Sequence, residues 1–171
     1  MAKTILITGA GSGFGKAAAI GMARNGHNII ATVQVSPQVT PLREEAEALG
    51  LSDKIRVERL DLTDHYDIAQ AQGWDYDVLW NNAGQGEAGP VWEIPVELVR
   101  RNYEVNVFLP LQLTQGVVQR WIREGKVKAP KPQIRNGRAV RLWSGAHLRT
   151  LAQVKADMYR KGRGRRPKPN R

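Results

Sequence analysis

One stretch restricts this chain more than any other. In "ITGAGSGFG", Ile7 to Gly15, four glycines stand at every second position directly behind a short apolar run. Glycine admits φ > 0 and lets another group approach the backbone closely. At a turn from strand into helix, the exposed N–H groups and the helix dipole together favour a bound anion such as a pyrophosphate. A tight strand-to-helix turn that binds nothing is the competing reading, so the surroundings of the turn have to decide.

Those surroundings repeat one pattern. Lys3 to Thr8 is a nearly continuous apolar strand of the kind buried on both faces of a parallel sheet, and an alanine-rich helix follows from Gly13 to Asn25, stopped by Gly26. Asn28 to Thr32 and Ile55 to Arg59 read as the next strands, with a helix from Pro41 to Leu49 between them. A short helix around Asp67 to Ala71 leads to a fourth strand, Val78 to Trp80, which runs into "NNAG". Strands alternating with helices predict an α/β fold with a doubly wound parallel sheet. Beyond it, Val96 to Ile122 reads as one long helical stretch that Pro110 should kink or divide. Gly137 to Trp143 offers a fifth strand.

Charge divides the chain at the same place where this pattern weakens. The net charge is +10, yet residues 1–125 carry a net −4 and residues 126–171 a net +14. The expectation is a mildly acidic domain over 1–125 and a basic, partly disordered tail over 126–171, since "RKGRGRRPKPNR" buries too little apolar surface to offset its ordering entropy. There is no cysteine, so disulfides and thiolate metal sites are excluded, and no apolar run approaches the roughly 18 residues of a membrane span. The three histidines, His27, His65 and His147, have no metal-site or triad spacing. The reading is a soluble cytoplasmic protein without a metal.

Four signals stand in order: Thr8-Gly9-x-x-x-Gly13-x-Gly15, "DLTD" at Asp61 to Asp64, "NNAG" at Asn81 to Gly84, and "NYEVNVF" at Asn102 to Phe108. Together they resemble the short-chain dehydrogenase/reductase family over about residues 1–125. The resemblance implies a Rossmann-like sheet, incomplete at its C-terminal end, and an NAD(P)-dependent oxidoreductase that moves hydride between nicotinamide and a hydroxyl or carbonyl carbon. It implies cofactor contacts from Thr8, Gly9, Gly11, Ser12, Gly13, Phe14 and Gly15 at the pyrophosphate. Asp61 and Leu62 would meet the adenine, and Asn82, Ala83 and Gly84 the adenosine ribose. Asn106 matches the family asparagine that holds a helix kink and a water of the proton relay. A homo-oligomer and a small carbonyl or alcohol substrate are further implications.

Cofactor choice follows from a missing charge. A carboxylate that selects the 2′-hydroxyl of NAD stands about 20 residues beyond the glycines. Here the residue 19 after Gly15 is Gln34, and no acid occurs from Ile29 to Leu42, so NADP is favoured over NAD. Arg24 and Arg43 are the nearest cations along the chain.

The catalytic pattern departs from the family. Its Tyr-x-x-x-Lys pair is absent: Tyr159 is followed four residues later by Arg163, and Lys161 lies only two away. Ser144, in "LWSGAH", stands where the family places its substrate-binding serine. A second reading is therefore a truncated or frame-shifted, catalytically silent nucleotide-binding fragment. A third, nucleic-acid or acidic-partner binding through the tail, has the charge but few aromatics and no base-reading motif.

Overall fold

The computed structural model describes residues 2–142 and 144–146. Four parallel strands, β1 (Thr4–Ile7), β2 (Asn28–Val33), β3 (Ile55–Arg59) and β4 (Val78–Trp80), form one sheet in the order β3-β2-β1-β4. Register pairs Ile5 with Ile29 and with Val78, and Ile29 in turn with Ile55. Helix α1 (Gly13–Arg24) joins β1 to β2, α2 (Val39–Ala48) joins β2 to β3, and α3 (His65–Gly73) joins β3 to β4. This is the α/β Rossmann-like sheet, present as its first four strands.

Side-chain alternation explains why both faces are covered. Ile5, Ile7, Ile29, Ala31 and Val33 share one face with Ile55 and Val57, and Ala19, Ala23, Leu42 and Ala46 of α1 and α2 pack over them. Leu6, Ile30 and Thr32 turn the other way and are equally buried. On α3 and on the long C-terminal helix, Ile68, Ala71, Leu113 and Val117 are also buried. These two helices touch where Gln72 Nε2 donates to the Gln112 carbonyl at 3.1 Å.

The long helical stretch is divided in an informative way. Helix α4 (Val96–Tyr103) widens into a π-helical segment, Glu104–Phe108, before α5 (Leu109–Arg123) continues. Pro110 has no N–H to give the carbonyl four residues back, and its ring presses on that carbonyl, so the helix loosens at Asn106 rather than breaking. The expected interruption exists, but it lies just before the proline.

The chain divides into two compact units at Val117/Val118. In the second unit the expected fifth strand needs correction. Arg138–Val140 (β6) is extended, but it pairs antiparallel with Gln133–Arg135 (β5) in a separate two-stranded sheet and does not join the parallel one. The turn between them is Asn136-Gly137, with φ of 50° and 72°. Positive φ at both central residues gives the tight turn whose twist suits a hairpin, and Asn-Gly is its preferred pair. The reading of 137–143 as a single strand passed over that signal.

Candidate functional site

In the order β3-β2-β1-β4, the chain runs outward from β1 through β2 to β3 and then crosses back to place β4 on the other side of β1, and the crevice at such a reversal is where doubly wound sheets bind ligands. The molecule has a cleft of about 360 Å³ there, within its first unit. Its walls come from three places at the C-terminal ends of the strands: Gly9, Gly11, Ser12 and Phe14 after β1, Gln34 after β2, and Asp61, Leu62 and Thr63 after β3. Asn82, Ala83 and Gly84, after β4, close the fourth side.

The glycine turn is held by long-range bonds. Gly9 has φ +67°, and a Cβ there would stand 2.7 Å from Ala83 Cα. Ala10 N–H donates to the Thr32 carbonyl at 2.7 Å, tying the turn to β2. Thr8 does not line the cleft. Its buried hydroxyl accepts from the N–H groups of both Asn82 and Ala83 at 2.9 Å, so it fastens the turn to the end of β4. Asn82 Nδ2 donates to the carbonyls of Thr8 and Gly9 at 3.0 and 2.9 Å. Gly15 is also outside the cleft; a Cβ on it would lie 2.3 Å from the Gly9 carbonyl oxygen and 2.5 Å from Asn82 Nδ2. Gly13, at φ +54°, has open space where a side chain would be.

Asp61 serves its own turn as well as facing the cleft. Its Oδ1 accepts from Thr63 N–H and Thr63 Oγ1 at 2.9 and 2.8 Å, and its N–H donates to Asp67 Oδ2. The next acid, Asp64, caps α3: its carboxylate accepts from Tyr66 N–H, and this bond, with Arg59 beside it, holds the carboxyl below its usual range. Asn106 is not in the cleft wall, although its neighbour Val105 is. Its amide grips the backbone of Gln85 at both ends, Oδ1 accepting from the N–H at 2.9 Å and Nδ2 donating to the carbonyl at 2.6 Å. It positions the loop that carries Asn82 to Gly84.

Neither arginine suggested for a 2′-phosphate reaches the cleft. Arg43 Nη2 donates to the Val57 carbonyl at 2.8 Å, and Arg24 sits on the exposed last turn of α1. Ser144 is exposed and belongs to the second unit, while Tyr159 lies outside the described residues. Among the described residues no cluster of His, Cys, Asp and Glu could hold a metal ion, and no helix is long and apolar enough to cross a membrane. Sequence reasoning missed Gln38, Thr63 and Gln85, which also line the cleft. Gln85 directly follows "NNAG", and Gln38 follows the Ser36-Pro37 turn signal, so both had a local marker.

Fit to a dinucleotide can be tested on these observations. The volume lies in the range of ordinary small-molecule sites. The start of α1 opens on it through Ser12 and Phe14, the latter 91% exposed, with no acid in the first turn to repel an anion. The residues present fit the group.

Comparison with known proteins agrees. An uncharacterized oxidoreductase of Bacillus subtilis (strain 168), YusZ, is 36% identical over 131 residues, which are 74% of this chain and 46% of that one. The 7alpha-hydroxysteroid dehydrogenase of Escherichia coli (strain K12) is 32% identical over 72% of this chain and 49% of its own. A short-chain dehydrogenase from Streptomyces avermitilis superposes with a TM-score of 0.62 at 30% identity, covering 72% of this chain and 46% of that chain. One from Sphingobium yanoikuyae, solved in complex with NADPH, does so with a TM-score of 0.61 at 26% identity, covering 71% and 49%. The chain spans about half the length of the curated relatives it matches. The pattern that defines short chain dehydrogenases matches residues 3–153, and with the sheet order and the cleft already in place the chain belongs to the short-chain dehydrogenase family.

Proposed function

We propose that the cleft binds a nicotinamide dinucleotide, NADP in preference to NAD, for hydride transfer between nicotinamide and a hydroxyl or carbonyl carbon. The observation that carries this reading is the meeting of the glycine turn, Gln34, Asp61 to Thr63 and Asn82 to Gly84 around one cleft. In this assignment the backbone of Gly9 to Phe14 meets the pyrophosphate, with Gly13 leaving its approach open and Gly15 and Thr8 holding the turn's shape. Asp61 and Leu62 flank the adenine, and Asn82, Ala83 and Gly84 flank its ribose. Nicotinamide, when bound, supplies or takes up the hydride; this chain's residues bind and orient it. The absence of an acid at Gln34 supports NADP, because a carboxylate there would repel a 2′-phosphate. The cysteine-free composition suits a reducing cytoplasm.

A second reading, binding without turnover, is favoured by one specific observation. Of the four tyrosines, Tyr66, Tyr76, Tyr103 and Tyr159, none has a lysine four residues on. If this chain does carry hydride transfer, Tyr159 is its acid, Ser144 its partner on the substrate oxygen, and Arg163 stands in for the lysine.

A thermal melt with and without saturating NADP and NAD tests the binding. Ligand at 100 times its dissociation constant stabilises the native state by about 2.7 kcal/mol, which raises the melting temperature by several degrees. No shift with either dinucleotide would sink the proposal. Binding without NADPH oxidation over a panel of aldehydes and ketones would leave the second reading standing alone.

A further inference from the structure

We propose that Gln38, rather than Gln34 or an arginine, is the residue that reads the 2′ substituent of the adenosine ribose, and so determines which dinucleotide this chain prefers; the inference rests on the dinucleotide reading of the cleft. The argument begins with what is absent. No lysine or arginine is among the residues lining the cleft, and Asp61 is the one charged group there, its Oδ1 occupied by Thr63. Cations near the lining residues along the chain are committed elsewhere, Arg43 to the Val57 carbonyl, Lys16 to Glu45 at 2.9 Å and Arg59 to Asp64 and Asp67. The 2′ end is therefore lined by neutral amides.

Of the two amides, Gln38 is the one whose orientation is set. Residues Ser36–Gln38 form a short 3-10 turn shortly after β2, with Pro37 fixing the φ of its central residue. Gln38 N–H donates to the Val35 carbonyl at 3.0 Å, and Val35 N–H donates back to Gln38 Oε1 at 3.3 Å. This closed ring uses the amide oxygen and leaves Nε2 as the open end. A Cβ built on Gly11 would lie 3.6 Å from that Nε2, so the donor stands within van der Waals reach of the glycine turn. An NH2 group held there can donate to a hydroxyl oxygen or to a phosphate oxygen, and it carries no charge to favour the second strongly. Gln34 has no such anchor among the described residues.

The full chain, titrated with NADP and with NAD by calorimetry, gives the decisive number as the ratio of the two dissociation constants. Gln38→Glu keeps an acceptor for Val35 N–H and replaces the donor with an anion; NADP should bind at least tenfold more weakly while NAD stays within about twofold. Gln38→Arg should move the ratio at least tenfold the other way, since a guanidinium pairs with a phosphate through two bonds. Loss of both ligands together would mean that Gln38 only shapes the turn, and that overturns the proposal. So does a ratio that stays put in both variants. If the unaltered chain binds neither dinucleotide, the function proposed above fails along with this inference, whereas an unmoved ratio in a chain that binds them defeats the Gln38 assignment alone.

Discussion

The glycine turn of the first unit and the Asn-Gly turn of the second are both built from residues with positive φ, yet they are held in opposite ways. Around Gly9 the fixing bonds come from far along the chain: Thr32 in β2, and Asn82 and Ala83 after β4, more than 70 residues away. Around Asn136-Gly137 the partners are immediate neighbours, with Arg135 opposite Arg138 and every residue of β5 exposed. Two like charges face each other across that ribbon, an arrangement that weakens a strand pair. A hairpin of this kind has little stability of its own. The contrast teaches that a backbone shape serves a binding site only when distant parts of the fold fix it, because local turns open at little cost.

The largest expected effect breaks the long-range side of this contrast. Gly15→Val would force a side chain into the Gly9 carbonyl and the Asn82 amide, and we expect a loss of about 3 kcal/mol or more in urea unfolding, together with nucleotide binding. Next, Thr8→Val deprives two N–H groups of their buried acceptor; a loss of about 2 kcal/mol is expected, and Thr8→Ser should restore most of it. If Thr8→Val costs nothing, the turn is not fastened through that hydroxyl.

Asn106→Ala releases Gln85 and should cost about 1 kcal/mol, while weakening dinucleotide binding more than stability would explain. Gly137→Val sharpens the comparison from the other side. It should speed amide exchange in β5 and β6 but leave the global urea midpoint unchanged, and a shifted midpoint would show the hairpin to be part of the main cooperative unit.

The smallest effect concerns Asp64, half-buried at the start of α3. Its carboxyl is lowered in the folded state, so its contribution is present at neutral pH and is lost as pH falls through the folded value. The difference in melting temperature between the parent and Asp64→Asn should therefore shrink on acidification. A difference independent of pH would show that the cap works through geometry alone.

Much of the architecture was readable from local pattern. Ile55 to Arg59 and Val78 to Trp80 were bounded residue for residue, because the alternation of apolar and charged residues marks the first and Asp77 and Asn81 flank the second. Helix α2 began two residues before its proline, since Pro41 suits a helix's first turn rather than marking its first residue. Trp92 is 79% exposed with its indole N–H on Glu93, which no local pattern could have shown.

The candidate site was legible in part. Glycine spacing named the turn, since positive φ and close approach are demands that one residue type meets by itself. The parallel direction of the strands also followed from alternation of strand and helix, whereas their order in the sheet did not. What only the tertiary structure decided is which of the named residues face the cleft. Thr8 and Gly15 turned out to hold the turn from behind, Asn106 to grip Gln85, and Gln38 to stand in the wall unannounced. The physical reason is distance along the chain: a residue's own type limits its backbone and its chemistry, but its partner is set by segments 21 to 74 residues away, and no local pattern contains them.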